Sequence, residues 1–361
     1  MQPPGEHSYF EGDSYGRGDP YGRADAYGDP YGRGDSYGRG APPRRRRRRS
    51  WSRVLLVILV ILLVVVVGGY FYLDSRLKRE DALDYEGRPA DTPGTNWLIV
   101  GSDSREGLSR KERAEFATGS AAGRRTDSMM LLHTGEGGTT LVSLPRDSYV
   151  PIPGHGSNKL NAAFAFGGPK LLVRTVEQAT DLHIDHYAEI GFGGFVGMVD
   201  AVGGVEMCPK EPIRDPKAGL NLKRGCQTLS GGQALGYVRT RASARADLDR
   251  VNRQREFFGA LVKKAAGPGV LLNPFRSVPL ALSGTENFLV DNGDHLIDLT
   301  LLLWSMRGVS DGDGVTTTVP IGGSGSSAAA GSYITWDRAK ARQLFNALRA
   351  DRPVPKSAIE S

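Results

Sequence analysis

The longest uncharged stretch, VLLVILVILLVVVVGGYFYL at residues 54–73, limits what this chain can fold into more than any other feature. As a helix its 20 residues would extend about 30 Å, the thickness of a bilayer's hydrocarbon core. Trp51 on one side and Tyr70, Phe71 and Tyr72 on the other stand where interfacial aromatics do. The run is too long and begins too far into the chain for a secretory leader, and no small-residue cleavage site follows it. It predicts one membrane-spanning helix over 51–73. Six arginines at 44–49 precede it. By the positive-inside rule they place residues 1–50 in the cytoplasm and 74–361 outside the cell membrane.

Those arginines also explain the charge. The formal net charge is +6, 46 basic against 40 acidic residues, so without the run the balance is zero. The basic signal is local, and with the bulk of the chain outside the cell it excludes nucleic acid and ATP as expected partners. Residues 15–40, YGRGDPYGRADAYGDPYGRGDSYGRG, repeat Gly, Asp, Arg and Tyr with almost nothing to bury, which predicts a disordered tail over 1–50. Cys208 and Cys226, 18 residues apart in an oxidising compartment, predict a disulfide. By loop entropy it would stabilise by about 3 kcal/mol.

Residues 74–94 are charged and end in Pro and Gly, reading as a stalk. Strand patterns follow at 97–100, DSMMLLHT and TTLVSLPRD, the last two joined by the turn GEGG. Helical periodicity marks NKLNAAFAF and GPKLLVRTVEQAT, then come a strand in HYAEIGF and a helix in FGGFVGMVDAV. Further helices are expected at 249–266, 268–282 and 296–308, a strand in GVTTTVPI, and a last helix in TWDRAKARQLFNALRA. Strands and helices interleave without a linker, so 95–352 reads as one α/β domain with helices on both faces of a central sheet. The Gly-rich stretch 320–332 reads as a surface loop, because no Lys-Ser/Thr and helix start follow it as a P-loop requires. Residues 353–361 read as a frayed end.

Polar residues spaced by two recur at expected strand ends: Asp103 and Arg105, Arg125 and Asp127, Arg239 and Arg241. In extended backbone such pairs share a face and can enter one cleft. Arg146 also follows a strand, and Arg250 and Gln254 share a helix face at i and i+4. Charged residues are seldom buried unless paired, and the planar fork of Arg suits phosphate oxygens. Two carboxylates among arginines can hold a hard cation such as Mg²⁺ together with phosphates. Ordinary ion pairs would explain any one pair by itself. Asp181, His183, Asp185 and His186 in DLHIDHY fit no common zinc spacing, and His155 with Ser157 lacks a nucleophile elbow. Both are read as structural.

WLIVGSDSR, RRTDSMMLL, LVSLPRDSYVPIPG, NKLNAAFAFGG, IDHYAEIGFGGFVGMVDAVGGVEM, LSGGQALGYVRTR and DLDRVNRQREFF, in this order over about residues 95–265, resemble the LytR-CpsA-Psr family of cell-wall ligases, and the Gly- and Arg-rich composition with the cysteine pair is similar to that of its actinobacterial type. The resemblance implies a three-layer αβα domain with a central mixed sheet behind one membrane helix. It implies an Mg²⁺-dependent (or Mn²⁺-dependent) phosphotransferase moving a glycopolymer from a polyprenyl pyrophosphate carrier onto peptidoglycan through a phosphodiester. Asp103 and Asp127 match the metal-organising acids. Arg125, Arg146, Arg239, Arg241 and Arg250 match the pyrophosphate-binding arginines, with Gln254 beside them. Arg105 lies in the first motif, and Lys159 matches a basic position of the family. Arg245, Arg253 and Arg255 are left as solvated or structural. LNAAFAFGG and GFGGFVGMV are expected to line a slot for the isoprenoid tail. Two competing readings use the same site: a polyprenyl pyrophosphate phosphatase, with water as acceptor, and a non-catalytic envelope regulator that binds carrier lipid.

Overall fold

The computed structural model describes residues 51–105, 107–118, 126–240 and 246–359, and of residues 246–252 and 255 it describes the backbone. The apolar run forms α1 (Trp51–Asp74), 24 residues with none buried, long and apolar enough to cross a membrane. Among the described residues a mixed sheet of seven strands follows: β1 (Lys78–Arg79), β2 (Thr95–Ser102), β3 (Thr126–Thr134), β4 (Thr140–Ser143), β5 (His186–Ile190), β6 (Phe288–Val290) and β7 (Val315–Thr318). Their order is β1-β6-β5-β2-β3-β4-β7. β2 runs parallel to β5 and antiparallel to β3, which is antiparallel to β4.

The period-2 alternation of the central strands feeds two cores. Leu98, Val100, Met129 and Leu131 pack on one face with Leu172 and Val176 of α2 (Leu160–Thr180) and Leu344 and Phe345 of α8 (Arg338–Arg349). Trp97, Met130 and Leu132 face the other way. They meet Val262 of α5 (Ala246–Ala265) and Leu302 and Met306 of α7 (Leu296–Asp311). On that same side Ile190 joins a cluster with α3 (Phe192–Ala201), α4 (Gly231–Arg239), α5 and Leu280 of α6 (Pro274–Asn287). Helices thus cover both faces of a mixed sheet, the three-layer arrangement expected.

α2 contains the two helical runs read from the sequence. They meet at Gly167 and Gly168, the latter at φ +64°, just before Pro169. Only glycine takes that conformation cheaply, and Pro removes the donor that would continue the ladder. The helix expected over 268–282 is broken, because Asn273 caps the Phe275 amide and Pro274 opens α6.

Three expectations are corrected. Residues 74–94 are not a free stalk: β1 pairs with β6, and Asp291 Oδ1 accepts from the Ala82 and Leu83 amides, each at 2.9 Å. A partner 208 or 209 residues away recruits a segment whose own pattern is too polar to announce a strand. The stretch 320–332 is not a loop. Its Ile321–Ser327 pairs antiparallel with Gly331–Trp336, and the Trp336 indole donates to Ser148 Oγ at 2.9 Å. The β-forming SYITW supplies the propensity that the glycines lack. Nor is 353–361 frayed throughout, since Val354 and Ala358 are buried in the α2–α8 core. Cys208 and Cys226 form the expected disulfide, beside the antiparallel pair of Val205–Met207 and Gln227–Leu229.

Candidate active site

The C-terminal ends of β2, β4 and β5 and the N-terminal end of β3 meet at one edge of the sheet, as their pairing directions require. Gly101 pairs with Ser128 and Ser102 with Thr126, so Asp127 is the extra residue of a β-bulge. Released from the ladder, its carboxylate accepts from Arg146 Nη1 at 2.6 Å. Arg146 follows β4, and its Nε lies 3.4 Å from Asp147 Oδ2. Asp147 Oδ1 in turn holds Lys159 Nζ at 2.9 Å. An alternating chain results: Asp127, Arg146, Asp147, Lys159. Burial disfavours the charge on Arg146, yet Asp127 and Asp147 outweigh it and its pKa lies above the ordinary value. Burial opposes the Asp147 charge too, but Lys159 and Arg146 hold that carboxyl below the usual range.

Arg239 approaches from the other side. It lies in the last turn of α4, not at a strand end as its spacing with Arg241 suggested. Its two terminal nitrogens donate to the carbonyls of Phe116 and Ala117 at 2.9 and 3.1 Å, and its guanidinium stands 5.0 Å from the centre of the Phe192 ring. Burial lowers its pKa, Asp127 and Asp103 favour its charge and Arg105 opposes it. One guanidinium therefore senses both carboxylates and a second arginine. Arg105 lies 4.0 Å from Asp103 and donates from Nε to the Thr118 carbonyl at 2.8 Å.

Beside this polar rim is a largely apolar cleft of about 130 Å³, lined by Ile190, Phe192, Phe195, Leu235, Val238 and Phe258, and also by Asp127, Arg239 and Gln254. GFGGFVGMV lines it, as expected. LNAAFAFGG does not: Ala163 and Phe164 belong to the core on the opposite face. Helical phase alone could not say which side of the sheet each run would cover.

Of the predicted site residues, the structure gathers Asp103, Arg105, Asp127, Arg146 and Arg239 directly, and Lys159 through Asp147. Gln254 is present but committed. Its Nε2 donates to the Val238 carbonyl at 3.1 Å and its Oε1 accepts from Ser128 Oγ at 3.2 Å, pinning α5 to α4 and β3. Arg125, Arg241 and the side chain of Arg250 lie outside the described residues. Sequence reasoning passed over Asp147, whose only signal was its place beside Arg146. It also passed over the Phe116 and Ala117 carbonyls, for which no side-chain signal exists. Arg253, left as structural, donates to the Thr240 carbonyl at 2.9 Å.

The donor set suits a hard divalent cation. Asp103 and Asp127 offer carboxylate oxygens, their side chains are 17% and 44% exposed, and Ser102 and Ser128 lie at the same cleft. His183 groups with Asp91 and Asp185, and His186 with Asp294 and Asp298, at the opposite sheet edge. There His186 pairs with buried Asp294.

Fold and site together define a class: an α/β protein carrying fixed cations over an apolar cleft, behind a helix able to span a membrane. The LytR_cpsA_psr family model matches residues 73–348, and the chain belongs to that family. The probable cell wall biosynthesis protein LcpB of Corynebacterium glutamicum is 54% identical over 282 residues, 77% of this chain and 66% of that protein. The polyisoprenyl-teichoic acid–peptidoglycan teichoic acid transferase TagT of Bacillus subtilis is 36% identical over 176 residues, 46% of this chain and 52% of that protein. The chain thus spans between half and two thirds of these relatives. Among solved structures, the LytR-Csp2A-Psr enzyme from Actinomyces oris shares the fold, with a TM-score of 0.59 at 24% identity over 76% of this chain and 96% of that one.

Proposed function

We propose that this protein is a glycopolymer phosphotransferase: it moves a saccharide polymer from a polyprenyl pyrophosphate carrier onto peptidoglycan and leaves a phosphodiester. The observation that carries this reading is the join between the arginine rim and the apolar cleft at Phe192, whose ring touches both. A lipid pyrophosphate has those two parts, and TagT, named for such a transfer, is a relative. Arg239, Arg105 and Arg146 neutralise and orient the pyrophosphate, with Arg125, Arg241 and Arg250 assigned there by the family motif. The acceptor hydroxyl oxygen forms a bond to the sugar-linked phosphorus. The P–O bond to the carrier's phosphate breaks with its electron pair, leaving polyprenyl phosphate, and the hydroxyl proton passes to a carboxylate of the Asp103–Asp127 pair. Mg²⁺ or Mn²⁺ held by these two aspartates would supply charge neutralisation on the phosphate oxygens.

α1 anchors the protein in the cell membrane. The arginines at 44–49 keep the N-terminus cytoplasmic and the catalytic domain outside, where peptidoglycan is. Full-length protein in lipid nanodiscs would be given Mg²⁺, a polyprenyl pyrophosphate-linked oligosaccharide and an uncross-linked peptidoglycan fragment, with products followed by mass spectrometry. A phosphodiester-joined product that disappears in Arg239→Ala establishes the transferase. Oligosaccharide phosphate with no joined product, water having taken the acceptor's place, would replace it with the phosphatase.

A further inference from the structure

α7 carries apolar side chains on both its inner and its outer side. Its inner residues Leu302 and Met306 are buried against α5 and the sheet, while Ile297, Leu301 and Trp304 on the outside are 54%, 57% and 68% exposed. The spacing i, i+4, i+7 puts these three on one stripe. A helix apolar on both sides is normally covered on both, and a soluble surface seldom leaves a leucine, an isoleucine and a tryptophan aligned in water.

The end of α1 indicates what covers the stripe. Asp74, its last residue, accepts from the Leu296 amide, the first of α7, at 2.8 Å and lies 3.2 Å from His295 Nδ1. Arg76 pairs with Glu286 in the last turn of α6 at 3.1 Å. The stripe therefore begins one hydrogen bond from the point where the apolar helix ends. Phe71 and Tyr72, 66% and 55% exposed, already form an aromatic girdle there. Arg307 lies 5.7 Å from the Trp304 ring, placing a cation beside the aromatic as lipid headgroups favour.

We propose that the outer face of α7 is a lipid-binding surface that lies in the headgroup and upper acyl region of the leaflet from which α1 emerges. This rests on the reading of α1 as a membrane span. It has a consequence for the site. Phe258 lines the catalytic cleft and packs in the same cluster as Leu302 and Leu303 of α7, so a single helix separates lipid from cleft. Seated this way, the domain presents the helical layer that holds the apolar cleft to the bilayer. A prenyl tail then reaches the cleft through a short path along apolar surface.

The test uses full-length protein in nanodiscs with one nitroxide per variant. The native cysteines are both in the disulfide, so each introduced thiol is the sole labelling point. Labels at Leu301→Cys and Trp304→Cys are compared with Val60→Cys inside α1 and Lys340→Cys on α8, scoring accessibility to oxygen against an aqueous nickel chelate. The proposal expects the oxygen-to-nickel ratio at 301 and 304 to exceed that at 340 by about fivefold or more. A lipid-embedded label at 60 with water-like ratios at 301 and 304 overturns the docking surface alone. A water-like label at 60 overturns the membrane span and the docking surface together. Spin–spin broadening at 301, in place of lipid access, would show a second copy covering the stripe and overturn the proposal as well.

Discussion

Both ends of the sheet carry clusters of carboxylates, but they are satisfied by different partners. At the end formed by Ser102, Asp127 and Arg146, acids face guanidinium and ammonium groups on half-exposed side chains. At the far end the acids take mostly backbone amides, although Glu177 also accepts from the Arg88 guanidinium at 2.7 Å. Asp294 accepts from Tyr187 and Asp291, Asp291 from Ala82 and Leu83, Glu177 from Ile184, and Asp351 from Glu136 and Gly137. Asp294 and Glu177 are 2% and 1% exposed, against 44% for the Asp127 side chain. A buried acid spent on amides staples chain segments and has no capacity left for a ligand. An acid held by an arginine beside open space can exchange that partner for a phosphate or a cation.

Four substitutions or titrations would break or sharpen this contrast. Asp127→Asn should lower glycopolymer transfer by about a hundred-fold or more while leaving the melting temperature within about 2 °C of the parent. A product assay paired with a thermal melt checks both halves. Asp294→Ala should do the reverse at the far end, costing roughly 3 kcal/mol because two buried amides and His186 lose their acceptor. Urea titration measures it, and an unchanged midpoint would contradict the staple.

The third concerns pH. Burial pushes the Glu177 carboxyl up to about 7 from 4.5, the Ile184 amide opposing and Asp185 reinforcing the rise. Its stabilisation is complete below the unfolded value of 4.5 and is lost as pH rises through about 7. Burial lowers the His186 pKa, but Asp294 more than compensates and the net shift is upward, so its contribution is whole below 6.5 and fades above it. Both act in the same direction. The urea midpoint should fall between pH 5 and pH 8 by on the order of 2 kcal/mol of stability, and Glu177→Gln should flatten that slope. Finally, Lys159→Ala removes a partly exposed pair with Asp147 and should cost only about 0.5 kcal/mol in stability. A few-fold loss of transfer would then show that Lys159 acts on the substrate through Arg146 and Asp147.

Much of the site was legible because its residues lie in contiguous motifs. Asp103, Arg105, Asp127, Arg146 and Arg239 could be named from short stretches, and the pairing of Cys208 with Cys226 from compartment and number. The reasons given for them held less well. The i, i+2 argument placed Asp127 on a regular strand, whereas the bulge opposite Gly101 and Ser102 aims it; Arg239 proved helical. The far end was scarcely legible, since most of its acids act on amides 107 to 215 residues away. Such partners leave no local pattern.

The sequence by itself determined the helix long and apolar enough to cross a membrane, the alternation that buries both faces of the central strands, the kink at Gly167 and Gly168, and the residues of the arginine rim. Each is a short-range matter of hydropathy, period or backbone freedom. Only the tertiary structure decided that 78–79 would enter the sheet, that the glycine-rich stretch would pair with SYITW, and which aromatic runs would line the cleft. It also decided which carboxylates would be staples and which could serve a ligand. Those outcomes depend on which distant backbone amides and guanidinium groups arrive beside a given side chain, and that is fixed only when the chain closes on itself.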